Sequence, residues 1–123
     1  MSSYILIIDE DQTNVLLYES LLNMYGYRTK VANSSSEGWN LMQEEKPSLL
    51  LLELLISDMS GVELFEKMRA VQELSRIPVI VISSLNDELT ADAMLELGAK
   101  EYMVKPVNNH TVMEKVKEHC LLT

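Results

Sequence analysis

The chain has a single cysteine, Cys120, close to its C-terminus, so no internal disulfide can form, and no Cys/His spacing suggests a zinc site. Cationic residues are also scarce: ten Lys and Arg stand against nineteen Asp and Glu, a net charge of −9. Contact with phosphates depends on clustered Lys and Arg, so this balance argues against nonspecific binding to nucleic acid or anionic lipid and points to protein partners. Long apolar runs are missing as well. None approaches the roughly 20 residues that cross a bilayer, and no basic segment with a signal-like core opens the chain. The expected compartment is the cytosol, whose reducing conditions suit a free thiol. Repeats, linkers and low-complexity segments are absent. With 123 residues, 47% of them hydrophobic, the chain can bury one core, which predicts one domain over residues 1–123 with no room for a separate output module.

What is present is an alternation of short apolar runs with stretches of helical period, the pattern of a parallel sheet covered on both faces. Tyr4–Ile8 reads as a buried strand. Asn14–Tyr25 reads as a helix with Val15, Tyr18, Leu22 and Tyr25 on one stripe, stopped by Gly26. Arg28–Ala32 is a short second strand. Ser34 with Glu37 predicts a capping box for a helix to about Glu45, with Pro47 beyond it. Leu49–Leu52 is the central strand. Gly61 opens a helix to about Glu73, Pro78 introduces the strand Val79–Ile82, and a helix near Asp87–Leu97 ends at Gly98. The strand Tyr102–Val104 follows, and Asn108 or Asn109 caps a last helix carrying Val112, Val116 and Cys120.

Four strand ends carry polar groups: Asp9-Glu10-Asp11 after the first, Glu53 after the third, Ser83 after the fourth and Lys105-Pro106 after the fifth. In an open α/β sheet the loops at the carboxyl ends of the strands converge into a crevice where ligands bind. Three carboxylates there repel unless a hard cation or an ammonium sits among them, and oxygen-only ligands suit Mg²⁺. A hydroxyl and an ammonium converging on the third acid would hydrogen-bond phosphoryl oxygens and neutralise their charge.

In order, spacing and local sequence, these residues resemble the receiver domain of bacterial response regulators over essentially the whole chain. The match is close along Gly98-Ala99-Lys100-Glu101-Tyr102-Met103-Val104-Lys105-Pro106. The resemblance implies a flavodoxin-like, doubly wound (βα)5 sandwich around a five-stranded parallel sheet. It assigns Mg²⁺ to Asp9, Glu10, the side chain at 53 and the backbone carbonyl of Leu55. It makes Ser83 and Lys105 the readers of a phosphoryl group, places Tyr102 at the switch aromatic, and implies a cis Lys105-Pro106 bond. At the acceptor position the family carries aspartate, and this chain carries Glu53. The resemblance therefore implies a two-component signalling module of pseudo-receiver type that acts through protein partners, a histidine kinase or a downstream effector, as a monomer or weak dimer. Aspartyl phosphorylation would be lost or mimicked, and Mg²⁺ would bind only weakly. Ser57, where a proline usually shapes the loop, and Ser84, where alanine is commonest, are further departures.

Plainer roles compete for each residue. Asp9 and Glu10 could be helix-capping acids. Ser83 could be an ordinary strand-ending hydroxyl, Lys105 a solvated surface lysine and Tyr102 an aromatic packed on an edge strand. Trp39 and the eight methionines read as packing, and His110 and His119 as surface residues without a metal partner. Asp58 could accept a phosphoryl group only if its loop refolded. A different function is also conceivable: Asp9-Glu10-Asp11-Gln12-Thr13 fits the D-x-D-x-T motif of haloacid-dehalogenase-like phosphatases, which would use Asp9 and Asp11 with Mg²⁺. That family needs a later acidic pair, and only Glu114 and Glu118, on what reads as a surface helix, are on offer. A flavin-binding role lacks a Gly/Ser/Thr amide cradle after the first strand.

Overall fold

The computed structural model describes residues 3–120. Five apolar segments form the strands β1 (Ile5–Ile8), β2 (Thr29–Ala32), β3 (Leu49–Leu52), β4 (Val79–Ser83) and β5 (Glu101–Val104), all parallel in the order β2-β1-β3-β4-β5. The helices α1 (Gln12–Met24), α2 (Ser35–Glu44), α3 (Gly61–Ala70), α4 (Glu88–Glu96) and α5 (Asn109–His119) alternate with them. This is the doubly wound, flavodoxin-like arrangement expected from the sequence.

Every residue of β1 and β3 is buried, because helices cover both faces of the sheet. Successive side chains point to opposite faces. Leu6, Ile8, Leu50 and Leu52 therefore join Phe65 and Met68 of α3 and Met94 of α4 in one core. Ile5, Ile7, Leu49 and Leu51 join Val15, Tyr18 and Leu22 of α1 with Val112 and Val116 of α5 in the other.

Helix starts follow side-chain capping. Asp11 accepts from the amides of Thr13 and Asn14, so α1 begins two residues before the expected Asn14. Ser34 accepts from Glu37 N, but the Glu37 carboxylate reaches back one residue further than a capping box requires, to Asn33 N. Asn108, rather than Asn109, caps α5. Gly26 and Gly98 take positive φ after α1 and α4, as helix-ending glycines do.

Three expectations fail for identifiable reasons. The α1 stripe loses Tyr25, which lies past the last helical turn, half exposed, with the Lys117 ammonium over its ring. The third helix stops at Ala70, not Glu73. Beyond it the chain turns so that Arg69 can donate to the carbonyls of Ser75, Ile77, Leu97 and Gly98. His119 is not a bare surface residue: its Nε2 lies 2.7 Å from a Glu101 carboxylate oxygen and 3.5 Å from Glu118. This is a nitrogen-and-oxygen cluster compact enough for a cation, yet the Lys115 ammonium, 3.6 Å from both glutamates, already supplies positive charge there. The methionines divide: Met42, Met68, Met94 and Met113 are core residues, while Met24 is exposed.

Candidate functional site

At the carboxyl edge of the sheet, Asp9, Glu10, Asp11, Asn14, Glu53, Leu55, Ser84 and Lys105 line an open cleft of about 370 Å³. Register explains the convergence. Ile8 and Leu52 are paired neighbours, so the residues that follow them, Asp9 and Glu53, emerge side by side; Glu53 N donates to Ile8 O. Ser83 is paired with Val104, so Lys105 leaves β5 next to them, its own amide donating to Ser83 O.

Asp9 and Glu53 are each only 4% exposed, and two neighbouring buried carboxylates need positive charge between them. Lys105 supplies it. Its Nζ lies 2.8 Å from Asp9 Oδ2 and 2.8 Å from Glu53 Oε1. Burial would push the Lys105 ammonium down, but Asp9 and Glu53 hold it above the ordinary lysine value. Burial would likewise raise the Glu53 carboxyl. The Lys105 ammonium, the nearby Ser83 hydroxyl and the amide of Leu55 outweigh that and keep it below the ordinary value, so it is ionised at neutral pH.

Both Glu53 oxygens are committed. Oε2 accepts from the amides of Leu54 at 2.7 Å and Leu55 at 3.1 Å, while Oε1 faces Lys105 and, at 3.4 Å, the amide and hydroxyl of Ser84. Asp9 Oδ1 accepts from Asp11 N. Glu10 behaves differently: it is exposed, forms no ion pair among the described residues, and one of its oxygens accepts from both the amide and the hydroxyl of Ser57.

The sequence-derived residues Asp9, Glu53 and Lys105 thus meet. Ser83 lies behind them, its hydroxyl also accepting from Leu85 N. Tyr102 is half-buried and donates from its phenol to Leu85 O at 2.8 Å, which ties β5 to the β4–α4 loop. Lys105-Pro106 is cis. Asp58 is turned away from the cleft, where it accepts from the amides of Ser35 and Ser36; those bonds hold its carboxyl down at about 2. Two contributors lay outside the sequence pattern. Ser57 and Ser84 read there as mild departures, yet each binds an acid of the cleft.

The phosphatase alternative finds no support. Asp11, its required second aspartate, is occupied in capping α1, and Glu114 and Glu118 sit exposed on α5.

The fold and the cleft describe a signal-receiving module, and comparison with known proteins agrees. The family model for the response regulator receiver domain matches residues 5–117. The chain is 31% identical over 117 residues to the transcriptional regulatory protein AfsQ1 of Streptomyces coelicolor, covering 95% of this chain and 50% of that protein. It is 25% identical over 119 residues to the polar-differentiation response regulator DivK of Brucella ovis, covering 97% of each. Among solved structures, a CheY-like receiver domain protein of Methanospirillum hungatei JF-1 superposes with a TM-score of 0.88 at 29% identity, covering 96% of this chain and 93% of that one. This chain belongs to the response regulator receiver domain family of two-component signalling. It spans about half the length of AfsQ1 and nearly all of DivK. No helix among the described residues is long and apolar enough to cross a membrane.

Proposed function

We propose that this chain is a pseudo-receiver: a signalling module that engages protein partners without forming an acyl phosphate at residue 53. The observation that carries this is the state of Glu53, a buried carboxylate with both oxygens engaged by amides, hydroxyl and ammonium. A nucleophilic carboxylate needs a free oxygen aimed at the incoming phosphorus. The extra methylene relative to aspartate displaces the carboxylate by roughly 1.5 Å, and a misplacement of about 1 Å can slow a reaction about 100-fold.

The donor chemistry suits Mg²⁺ in kind. Asp9, Glu10, Glu53 and the Leu55 carbonyl would hold it, and the ion would supply charge to offset the carboxylates and any phosphoryl oxygen. Lys105 already offsets Asp9 and Glu53, so the metal competes with an internal cation and binds weakly. Nor does Glu53 reproduce a phosphoryl group, which brings about −1.5 to −2 charge and three acceptor oxygens. Replacing aspartate by glutamate adds no charge. A substituent shifts a two-state equilibrium only by its differential interaction with the two states, and here that difference is confined to Lys105 and the neighbouring hydroxyls. The module therefore rests in one conformation.

Its partner, a histidine kinase or a downstream effector, meets the face formed by α4, β5 and α5, which carries Tyr102 and the exposed Val104 on β5. The net charge of −9 favours a protein over nucleic acid or an anionic membrane. The test is mass spectrometry after incubation with acetyl phosphate and Mg²⁺, on this chain and on Glu53→Asp. No phosphate on Glu53 and gain of phosphate in the aspartate variant are expected. Stoichiometric phosphate mapped to Glu53 would refute the proposal.

A further inference from the structure

We infer that Ser57 is a positioning residue that sets the affinity of the cleft for a divalent cation, by holding Glu10 on protein donors. This rests on the reading of the cleft as a Mg²⁺ site and adds to it a residue with no ligand atom of its own in the proposed set.

Ser57 presents two donors to one carboxylate oxygen: its amide, 3.1 Å from Glu10 Oε2, and its hydroxyl, which bonds the same atom. The loop that carries Ser57 is fixed without this contact. Asp58 accepts from Ser35 N and Ser36 N, the Ser35 hydroxyl donates to Met59 O at 2.7 Å, and Gly61 N donates to Leu54 O at 2.8 Å. The donors therefore stand at a set place, and Glu10, longer and exposed, comes to them.

Of the four acids lining the cleft, Asp9 and Glu53 share Lys105 and Asp11 is taken up in capping α1, which leaves Glu10 as the carboxylate of the proposed metal set with no cation beside it among the described residues. Glu10 is thus the carboxylate with most to gain from a metal. Asp9, Glu10 and Glu53 do not bring one oxygen each within 4.8 Å of one another, so a cation that gathers all three needs side-chain movement, and Glu10 moves by leaving the Ser57 amide and hydroxyl. Hydrogen bonds to an ionised acceptor are stronger than neutral ones, so this withdrawal subtracts from cation affinity. Each donor removed from residue 57 should return part of the loss, while the course of the loop, anchored by Asp58, stays as it is.

The experiment is calorimetric titration of MgCl₂ into wild type, Ser57→Ala, which removes the hydroxyl, and Ser57→Pro, which removes hydroxyl and amide hydrogen together. Folding is checked by far-UV circular dichroism. Mg²⁺ affinity should rise about threefold in Ser57→Ala and about tenfold in Ser57→Pro, the scale of one and two solvent-exposed hydrogen bonds. In a Glu10→Gln background the same changes should give no gain, because the held carboxylate is gone. Ser57→Ala keeps the test decisive if proline disturbs the loop. Equal or weaker affinity in both Ser57 variants, including no measurable binding in any of them, overturns the inference, as does an undiminished gain in the Glu10→Gln background. No phosphodonor is involved, so the result stands apart from whether Glu53 takes a phosphoryl group.

Discussion

The two halves of the cleft solve the same electrostatic problem in different ways. On the inner side Asp9 and Glu53 are almost completely buried, and an ammonium sits 2.8 Å from each. On the outer side Glu10 is exposed and held by two neutral donors of Ser57. The difference follows from solvent. A buried charge requires a counter-charge, whereas an exposed carboxylate keeps water and needs only a hydrogen bond to fix its direction. The inner half is therefore part of the fold, and the outer half is adjustable.

Substitutions separate the two halves by size of effect. The largest is expected at the wall behind Glu53. A Cβ on Gly61 would lie 2.5 Å from Glu53 O and 2.7 Å from Leu54 Cα, both backbone atoms that cannot move aside, so Gly61→Ala should destabilise by about 3 kcal/mol in urea unfolding. A loss under about 1 kcal/mol would mean that the inner half is looser than its geometry. Next comes Lys105→Met, which leaves two buried carboxylates without a counter-ion. It should cost about 2 kcal/mol, less than the roughly 3–5 kcal/mol of a fully buried pair, because the cleft is open to water.

The pH profile sharpens the same contrast. Glu53 is held below its ordinary 4.5, so its contribution to stability is present above that value and is lost as pH falls through the lower folded-state value. Lys105 is held above 10.5, so its contribution is present below that value and is lost as pH rises through the higher one. Thermal melts should therefore show a plateau between these limits that falls at both ends. Lys105→Met should flatten both edges, and a profile unchanged by the substitution would contradict the pairing.

Smaller effects belong to groups nearer solvent. Tyr102→Phe removes the bond to Leu85 O and should cost about 1 kcal/mol. Ser57→Ala, on the outer side, should stay within about 0.5 kcal/mol.

This contrast also explains what could be read in the sequence. The buried strands declare themselves as apolar runs, and the residue after each run is placed by the chain itself, so Asp9, Glu53, Ser83 and Lys105 were recognisable as a converging set. The start of α2 was legible from its capping side chain, Ser34, whereas that of α1 was misplaced because its cap, Asp11, sits within a run of three acids. Away from the strand ends, contacts between residues remote in sequence were not legible. Ser57 and Glu10 stand 47 positions apart, and nothing local to either marks the other. His119 looked like a surface residue because Glu101, its partner on β5, is 18 positions away. Helix α3 looked longer than it is because the carbonyls that Arg69 gathers come from Ser75, Ile77, Leu97 and Gly98, a tertiary demand that overrides helical propensity over the next residues.

The central claim is that Lys105 is a fixed internal counter-ion which makes Glu53 a structural carboxylate. A double-mutant cycle measures it directly: urea unfolding of wild type, Lys105→Met, Glu53→Gln and the double variant. The account predicts a coupling of more than about 1 kcal/mol, with Lys105→Met much less harmful once residue 53 is neutral. Losses that add to within about 0.5 kcal/mol would show that Lys105 and Glu53 are neighbours without being partners.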